Sequence, residues 1–235
     1  MTQITIPATD GSGSFQAYLA APADTSTPKG AVVMIQEIFG VNRTMRALSD
    51  WVASMGYFAI APDLFWRQQP GVELDPDAGQ TEWEKAFAYM NGMDQAKGME
   101  DLKATIAAAR ALPGCNGKVG SMGFCLGGRL AVMLALDSDA QCHISYYGVG
   151  LDGLLGDAAK ITAPTILHIA EKDKFVPPEA RAKIVAALEG HGLAKAYVYP
   201  GVDHAFARLN AHSYDARAAT IAAGRSAELL VKTLG

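Results

Sequence analysis

Between Lys118 and Ala135 the chain reads Lys-Val-Gly-Ser-Met-Gly-Phe-Cys-Leu-Gly-Gly-Arg-Leu-Ala-Val-Met-Leu-Ala, an order that few backbones accommodate. One cysteine stands between Gly123 and Gly127, and a second apolar run begins at Leu130. The pattern predicts a short strand, a tight turn with Cys125 at its apex, and a helix. Glycines two residues before and after the apex suit a strained backbone with no room for side chains on either side. At a helix N-terminus, unpaired N–H groups and the helix dipole favour a thiolate over a thiol. The residues alone leave a second reading open, in which Cys125 is a buried structural cysteine and the glycines serve packing.

The rest of the chain alternates strand and helix around this turn. Ile4-Thr-Ile6 and Phe15-Gln-Ala-Tyr-Leu19 flank Asp10-Gly-Ser-Gly13 and predict an antiparallel hairpin. Ala31-Val-Val-Met-Ile35 and Tyr57-Phe-Ala-Ile-Ala61 are continuous apolar runs, as in strands buried on both faces. Between them Asn42 caps an expected helix over residues 43–55, stopped by Gly56. Further strands are expected over 143–147, 165–170 and 196–199. Helices are expected over 81–89, 99–112, 178–189 and 213–234. The stretch from Arg67 to Gln80, rich in Pro, Gly and Asp, predicts a functional surface loop. These elements imply an α/β fold with a mostly parallel central sheet, helices on both faces and an N-terminal antiparallel hairpin. A length of 235 residues suits one domain over 1–235.

Composition narrows the function. A formal net charge of -4 gives no basic footprint for nucleic acid. Met-Thr-Gln-Ile-Thr-Ile-Pro has neither the charged nor the apolar region of a leader, and no stretch reaches the roughly 18 apolar residues of a membrane span, so a cytoplasmic chain is expected. Cys115, Cys125 and Cys142 are an odd number without C-x-x-C spacing, which argues against a disulfide framework or a zinc knuckle. No unusually apolar stripe stands out, and a monomer is expected.

In a parallel sheet, reactive groups gather at the carboxyl ends of strands. Asp173 follows the strand ending at Ala170, and His204 follows the strand ending at Tyr199. With Cys125 they give the order nucleophile, acid, histidine, spaced by 48 and 31 residues, each interval long enough for a strand and a helix. A histidine titrating near neutrality takes the thiol proton and later activates water, while the carboxylate fixes its tautomer. Singly, an Asp after a strand is more often a cap and a lone His more often packing; their joint placement favours catalysis. His143 and His168 lie within predicted strands and are expected in the core, His191 and His212 in loops or caps. No metal-binding spacing is present, and no metal or cofactor is expected.

These residues resemble the dienelactone hydrolase family of the α/β-hydrolase superfamily. The marks are Gln36-Glu-Ile-Phe-Gly-Val-Asn42, Ala61-Pro-Asp-Leu64, Gly117-Lys-Val-Gly120, Gly123-Phe-Cys-Leu-Gly-Gly128, Tyr146-Tyr-Gly-Val-Gly150, Asp173-Lys-Phe-Val-Pro177 and His204-Ala-Phe-Ala-Arg208, in order over nearly the whole chain. The resemblance implies an α/β-hydrolase fold with Cys125, His204 and Asp173 as triad. It implies an oxyanion hole from the N–H groups of Leu126 and Ile38, and substrate contacts from Arg208, Phe39 and Tyr146. Glu37 would pair with Arg208 and turn to take the thiol proton when an anionic substrate engages the arginine. Read without the resemblance, Glu37 is a surface or capping carboxylate and Arg208 a solvated charge. The implied reaction opens a small anionic lactone, dienelactone to maleylacetate, through a thioester.

One departure stands out. Relatives carry a second carboxylate-binding arginine where this chain has Thr81-Glu-Trp-Glu84, and Arg67 is the nearest candidate upstream. Losing a second charge-assisted contact costs about 1.5 to 3 kcal/mol, roughly ten- to a hundredfold in affinity. Ala205 also stands where some relatives have Ser. Two further readings follow: the same triad acting on another small ester or lactone, and a non-catalytic fold that binds a ligand or senses oxidants through Cys125.

Overall fold

The computed structural model describes residues 2–235. The chain forms two compact units whose boundary falls after Val119. The first runs through Val119 and takes in Leu234, and the second runs from Gly120 to Thr233 and takes in Gly235.

The first unit begins with the expected hairpin, β1 (Thr2–Pro7) and β2 (Ser14–Ala20), paired antiparallel with Ile4 opposite Ala17. Its turn is closed by Ala8 N–H to the Gly13 carbonyl at 2.9 Å, and Asp10 Oδ1 accepts Ser12 N–H at 3.0 Å. Strands β3 (Lys29–Ile35) and β4 (Phe58–Pro62) pair parallel, and β2 joins β4 antiparallel. Successive residues of β3 and β4 are buried, so both faces are covered, as their unbroken apolar runs require. The cover includes α1 (Arg43–Ser54), which turns Met45, Ser49, Val52 and Ala53 inward at helical spacing. Asn42 caps it as expected, its side chain accepting Met45 N–H.

The next two helices are α2 (Gln80–Gly92) and α3 (Gln95–Arg110). The apolar periodicity placed the start of α3 at Met99. The helix begins a turn earlier because the Asp94 carboxylate accepts Lys97 N–H and satisfies an orphan amide there. The boundary between the units then falls inside β5 (Cys115–Phe124).

In the second unit, β5, β6 (Cys142–Tyr146), β7 (Thr165–Ala170) and β8 (Ala194–Tyr199) lie side by side, all parallel. Between them run α4 (Leu126–Leu136) and α5 (Pro178–Ala187), and after them α6 (Ala216–Leu234). The last helix was expected from Ser213; Asp215 caps it instead by accepting Ala218 N–H. Two short 3-10 segments, Leu151–Gly153 and Leu155–Lys160, were not legible in the sequence. Their Leu151 and Leu155 complete a core with Val132, Leu167, Ile169 and Ile184.

Candidate active site

The turn after β5 has the expected form. Cys125 adopts φ 55° and ψ -113°, a left-handed conformation that a β-carbon disfavours, and α4 begins at Leu126. A β-carbon on Gly123 would lie 1.9 Å from the Gly127 carbonyl oxygen, so nothing larger than glycine fits there. The first bond into α4 is Arg129 N–H to the Cys125 carbonyl at 3.1 Å, so the amides of residues 126–128 lie ahead of the helical ladder. Cys125 N–H donates to the Tyr146 carbonyl at 3.0 Å, fixing the apex to the end of β6.

Asp173 and His204 meet beside the cysteine. Asp173, buried past the end of β7, accepts Phe175 N–H on Oδ1 at 2.9 Å, while its Oδ2 lies 2.7 Å from His204 Nδ1. His204, past the end of β8, also hydrogen-bonds the Cys125 side chain; with Nδ1 on the carboxylate, Nε2 is left for the sulfur. Burial of the ring opposes its charge, but the hydrogen bonds and charges of Asp173 and Cys125 outweigh burial and raise the His204 pKa to about 10. The ring is held from outside its own segment as well. Ser213 Oγ donates to its backbone carbonyl, and the rings of Tyr147 and Phe175 stand edge-on to it at 5.0 and 4.9 Å. An imidazole held charged beside a half-buried thiol can carry a thiolate as its ion-pair partner.

The other expected contacts fall in several places. Glu37, Ile38 and Phe39 follow β3 in the first unit, and all three are buried. Their loop is locked by the segment after β4. Gln36 Oε1 accepts Leu64 N–H at 3.1 Å, Leu74 N–H reaches the Phe39 carbonyl at 2.9 Å, and Phe39 meets Trp83 edge-on at 4.8 Å. A β-carbon on Gly40 would sit 1.8 Å from the Val72 carbonyl oxygen. The long loop is thus pinned along its length: Asp63 accepts Gly71 N–H at 2.7 Å, and Arg46 pairs with Glu73 at 2.7 Å.

Arg67 is no spare cation. It grips both carboxylate oxygens of buried Asp101 at 2.8 and 3.2 Å, reaches Asp10 at 3.0 Å and stacks over Trp66. In the expected place of the second arginine, Glu82 pairs with Lys85 at 2.8 Å. Arg208 lies buried in the turn after His204, its N–H on the Ala205 carbonyl at 2.9 Å.

Tyr146, expected among the substrate contacts, is turned elsewhere. Its hydroxyl lies 2.7 Å from Ser226 Oγ of α6, and its ring stacks on Phe124. The tyrosine that faces His204 is Tyr147, with φ 38°. Sequence reasoning missed it and Phe175, although both lie inside quoted motifs. Two adjacent tyrosines are equivalent until the backbone between them is known.

The remaining histidines lie where expected. His143 and His168 are buried in strands, with burial pushing each down to about 3. His191, in the loop after α5, hydrogen-bonds the Ala158 carbonyl of the second 3-10 segment, and His212 is exposed in a turn. Among the described residues no cluster of three His, Cys, Asp or Glu could hold a metal, and no helix is long and apolar enough to cross a membrane.

Known proteins align with this arrangement end to end. Residues 15–234 match the Dienelactone hydrolase family. A protein of Azospirillum brasilense, provisionally named a carboxymethylenebutenolidase, is 52% identical over the whole of both chains. Carboxymethylenebutenolidase 1 of Cupriavidus pinatubonensis is 40% identical over 93% of this chain and 92% of its own. A crystal structure from Klebsiella pneumoniae, provisionally described as a dienelactone hydrolase, superposes with a TM-score of 0.84 at 27% identity over 98% of each chain.

Proposed function

The chain belongs to the dienelactone hydrolase family, a carboxylic ester and lactone hydrolase of α/β-hydrolase fold, and we propose that it works through Cys125 as nucleophile and a thioester intermediate. The observation that carries this reading is His204 bridging Asp173, 2.7 Å away, and the side chain of a cysteine at φ 55° between strand and helix.

In the proposed reaction the Cys125 thiolate attacks the lactone carbonyl and a sulfur–carbon bond forms. Collapse of the tetrahedral anion breaks the ring carbon–oxygen bond and expels an enolate, which takes the proton of the His204 imidazolium. His204 then takes a proton from water, the hydroxide adds to the thioester carbonyl, and the thiolate leaves as the free acid forms. Asp173 holds the imidazole by Nδ1 throughout and stabilises its charged form whenever the ring carries the proton. The Leu126 amide, ahead of the α4 ladder, suits an oxyanion donor. Ile38 as second donor, Glu37 as the switching carboxylate, and Arg208 and Phe39 as substrate contacts rest on the resemblance alone. The reaction needs no metal or cofactor.

The proposed substrate is a small anionic lactone, dienelactone opened to maleylacetate, in keeping with the names of the relatives. A second reading keeps the triad and changes the substrate to a neutral ester or lactone. It is favoured by Arg67 being committed to Asp101 and by the absence of arginine from residues 81–84. The two separate on kcat/KM for cis- and trans-dienelactone beside a neutral aryl ester of similar size, with Cys125→Ala as the blank. Dienelactone should be the better substrate by tenfold or more, roughly one charge-assisted contact, with no turnover by the blank. Preference for the neutral ester establishes the second reading, and an active Cys125→Ala overturns the cysteine mechanism. The proposal includes a monomer in the cytoplasm, which sedimentation equilibrium and cell fractionation check.

A further inference from the structure

At the carboxyl ends of β5 and β6, parallel register sets Phe124 beside Tyr146, and along β7 and β8 it sets Tyr146 beside His168 and His168 beside Tyr197. Residues in register share a face of the sheet, so four rings form a row with centroids 4.9, 4.4 and 6.1 Å apart. A chain of hydrogen bonds runs through this row and α6. Arg225 Nη1 donates to the Tyr199 hydroxyl at 3.0 Å, and that hydroxyl lies 2.8 Å from His168 Nδ1. His168 Nε2 lies 3.0 Å from Ser226 Oγ, which lies 2.7 Å from the Tyr146 hydroxyl. Ser226 and His168 are wholly buried. Burial, aided by the Arg225 charge, holds the His168 pKa down to about 3, so the ring is neutral and must donate at one nitrogen and accept at the other. The hydroxyls of Tyr199, Ser226 and Tyr146 are therefore oriented in one sense along the chain.

No step of the proposed reaction uses these groups, and buried polar groups are unfavourable unless satisfied. Their inner end is the nucleophile's support. The Tyr146 carbonyl accepts Cys125 N–H at 3.0 Å, and its ring stacks on Phe124, the residue before the cysteine. A β-carbon on Gly128 would lie 2.7 Å from the same carbonyl, so the fit has no slack. The following residue, Tyr147, donates its N–H to the His168 carbonyl at 2.8 Å and sets its ring against His204. Tyr146 and Tyr147 thus touch the cysteine's backbone and the histidine's ring, and Ser226 and His168 hold Tyr146 from behind.

We propose that Ser226 and His168 are positioning residues that act through Tyr146 to hold Cys125 in its strained conformation and in register with His204. The inference rests on Cys125 being the nucleophile. It is tested in the full chain with Ser226→Ala, Tyr146→Phe, their double variant, and Ser226→Thr as conservative rescue. Two readouts are taken: kcat and KM on an activated ester, and the pH dependence of Cys125 alkylation by iodoacetamide, localised by peptide mass spectrometry.

Each single variant should lower kcat and slow Cys125 alkylation about tenfold, a modest share of what a misplaced reacting group loses, with KM within about twofold. The double variant should be no worse than Ser226→Ala alone, because Tyr146→Phe breaks only a bond that Ser226→Ala already breaks, and Ser226→Thr should recover most of the loss. Folded variants with unchanged kcat and alkylation profile, even with a lowered Tm, overturn the proposal and leave the chain a packing device. A raised KM with kcat intact overturns it in favour of Tyr146 as a substrate contact. Should Ser226→Ala fail to fold, Tyr146→Phe decides, since it keeps the ring, the stack and the carbonyl. Cys125→Ala, run in parallel, separates the two levels: an active Cys125→Ala removes the nucleophile assignment, whereas an inactive one with unaffected Ser226 variants removes only the positioning role.

Discussion

Cys125 holds a conformation that costs about 1 to 3 kcal/mol for a residue with a β-carbon. It persists because its N–H is fixed to Tyr146 and its carbonyl to the first turn of α4. The same over-determined geometry presents sulfur to a histidine whose charge is sustained from its far side by Asp173. Asp173→Asn removes one hydrogen bond and one charge that raise the His204 pKa, and leaves the burial that opposes it. The His204 pKa should therefore fall, and the proposed nucleophile should lose its charged partner at neutral pH. We expect kcat to drop by about 10³- to 10⁴-fold, in line with the loss of an orienting carboxylate elsewhere. Cys125 alkylation should need a higher pH than in the parent protein. An unchanged alkylation profile would show that Asp173 does not sustain the imidazolium.

The strand–turn–helix element tolerates little change, because its atoms are already in contact. In Gly123→Ala the new methyl would start 1.9 Å from the Gly127 carbonyl oxygen, which is backbone and cannot rotate away. The variant should lose about 3 kcal/mol or more in urea unfolding, or fail to fold. A second element-scale expectation concerns Arg67 and the loop behind it. Asp101 is buried and also accepts Trp66 Nε1 at 2.8 Å, so Asp101→Ala leaves the indole donor unpaired and takes from Arg67 its bidentate partner, leaving it Asp10 and Ser12. Stability should fall by about 3 kcal/mol while KM for anionic substrates stays the same. A KM that rose with Asp101→Ala in step with substrate charge would return Arg67 to the role of a carboxylate clamp.

Across the whole molecule, the buried neutral histidines set a lower pH limit. His143 and His168 would titrate near 6.5 when unfolded and are held to about 3 in the fold. Between those values the unfolded chain binds protons that the folded one refuses. The share of stability that these two rings govern is therefore fully present above pH 6.5 and is lost as pH falls toward 3, by about 1.4 kcal/mol per pH unit for each ring. Urea midpoints measured from pH 7 down to pH 4 should fall steeply. His143→Gln, which keeps a partner for Ser121 Oγ, now 2.8 Å from the ring, should flatten the decline. An equally steep decline in that variant would assign the acid limit to other groups.

The amino-acid sequence by itself determined the elements that depend on near neighbours. Unbroken apolar runs made β3 and β4 strands covered on both faces, Asn42 began α1, and two glycines around Cys125 allowed only a tight turn between strand and helix. The order Cys125, Asp173, His204 placed three reactive types after three strands, and parallel pairing suffices to bring such ends together. What stayed hidden depends on partners far along the chain. Nothing local distinguishes Tyr146 from Tyr147; register against His168 and Ser226, with φ 38° at Tyr147, turned one into the core and the other onto His204. Arg67 was a free cation in one dimension and is bound to Asp101, 34 residues away, in three. A side chain's periodicity says which face of an element it takes, and only tertiary packing decides what waits there.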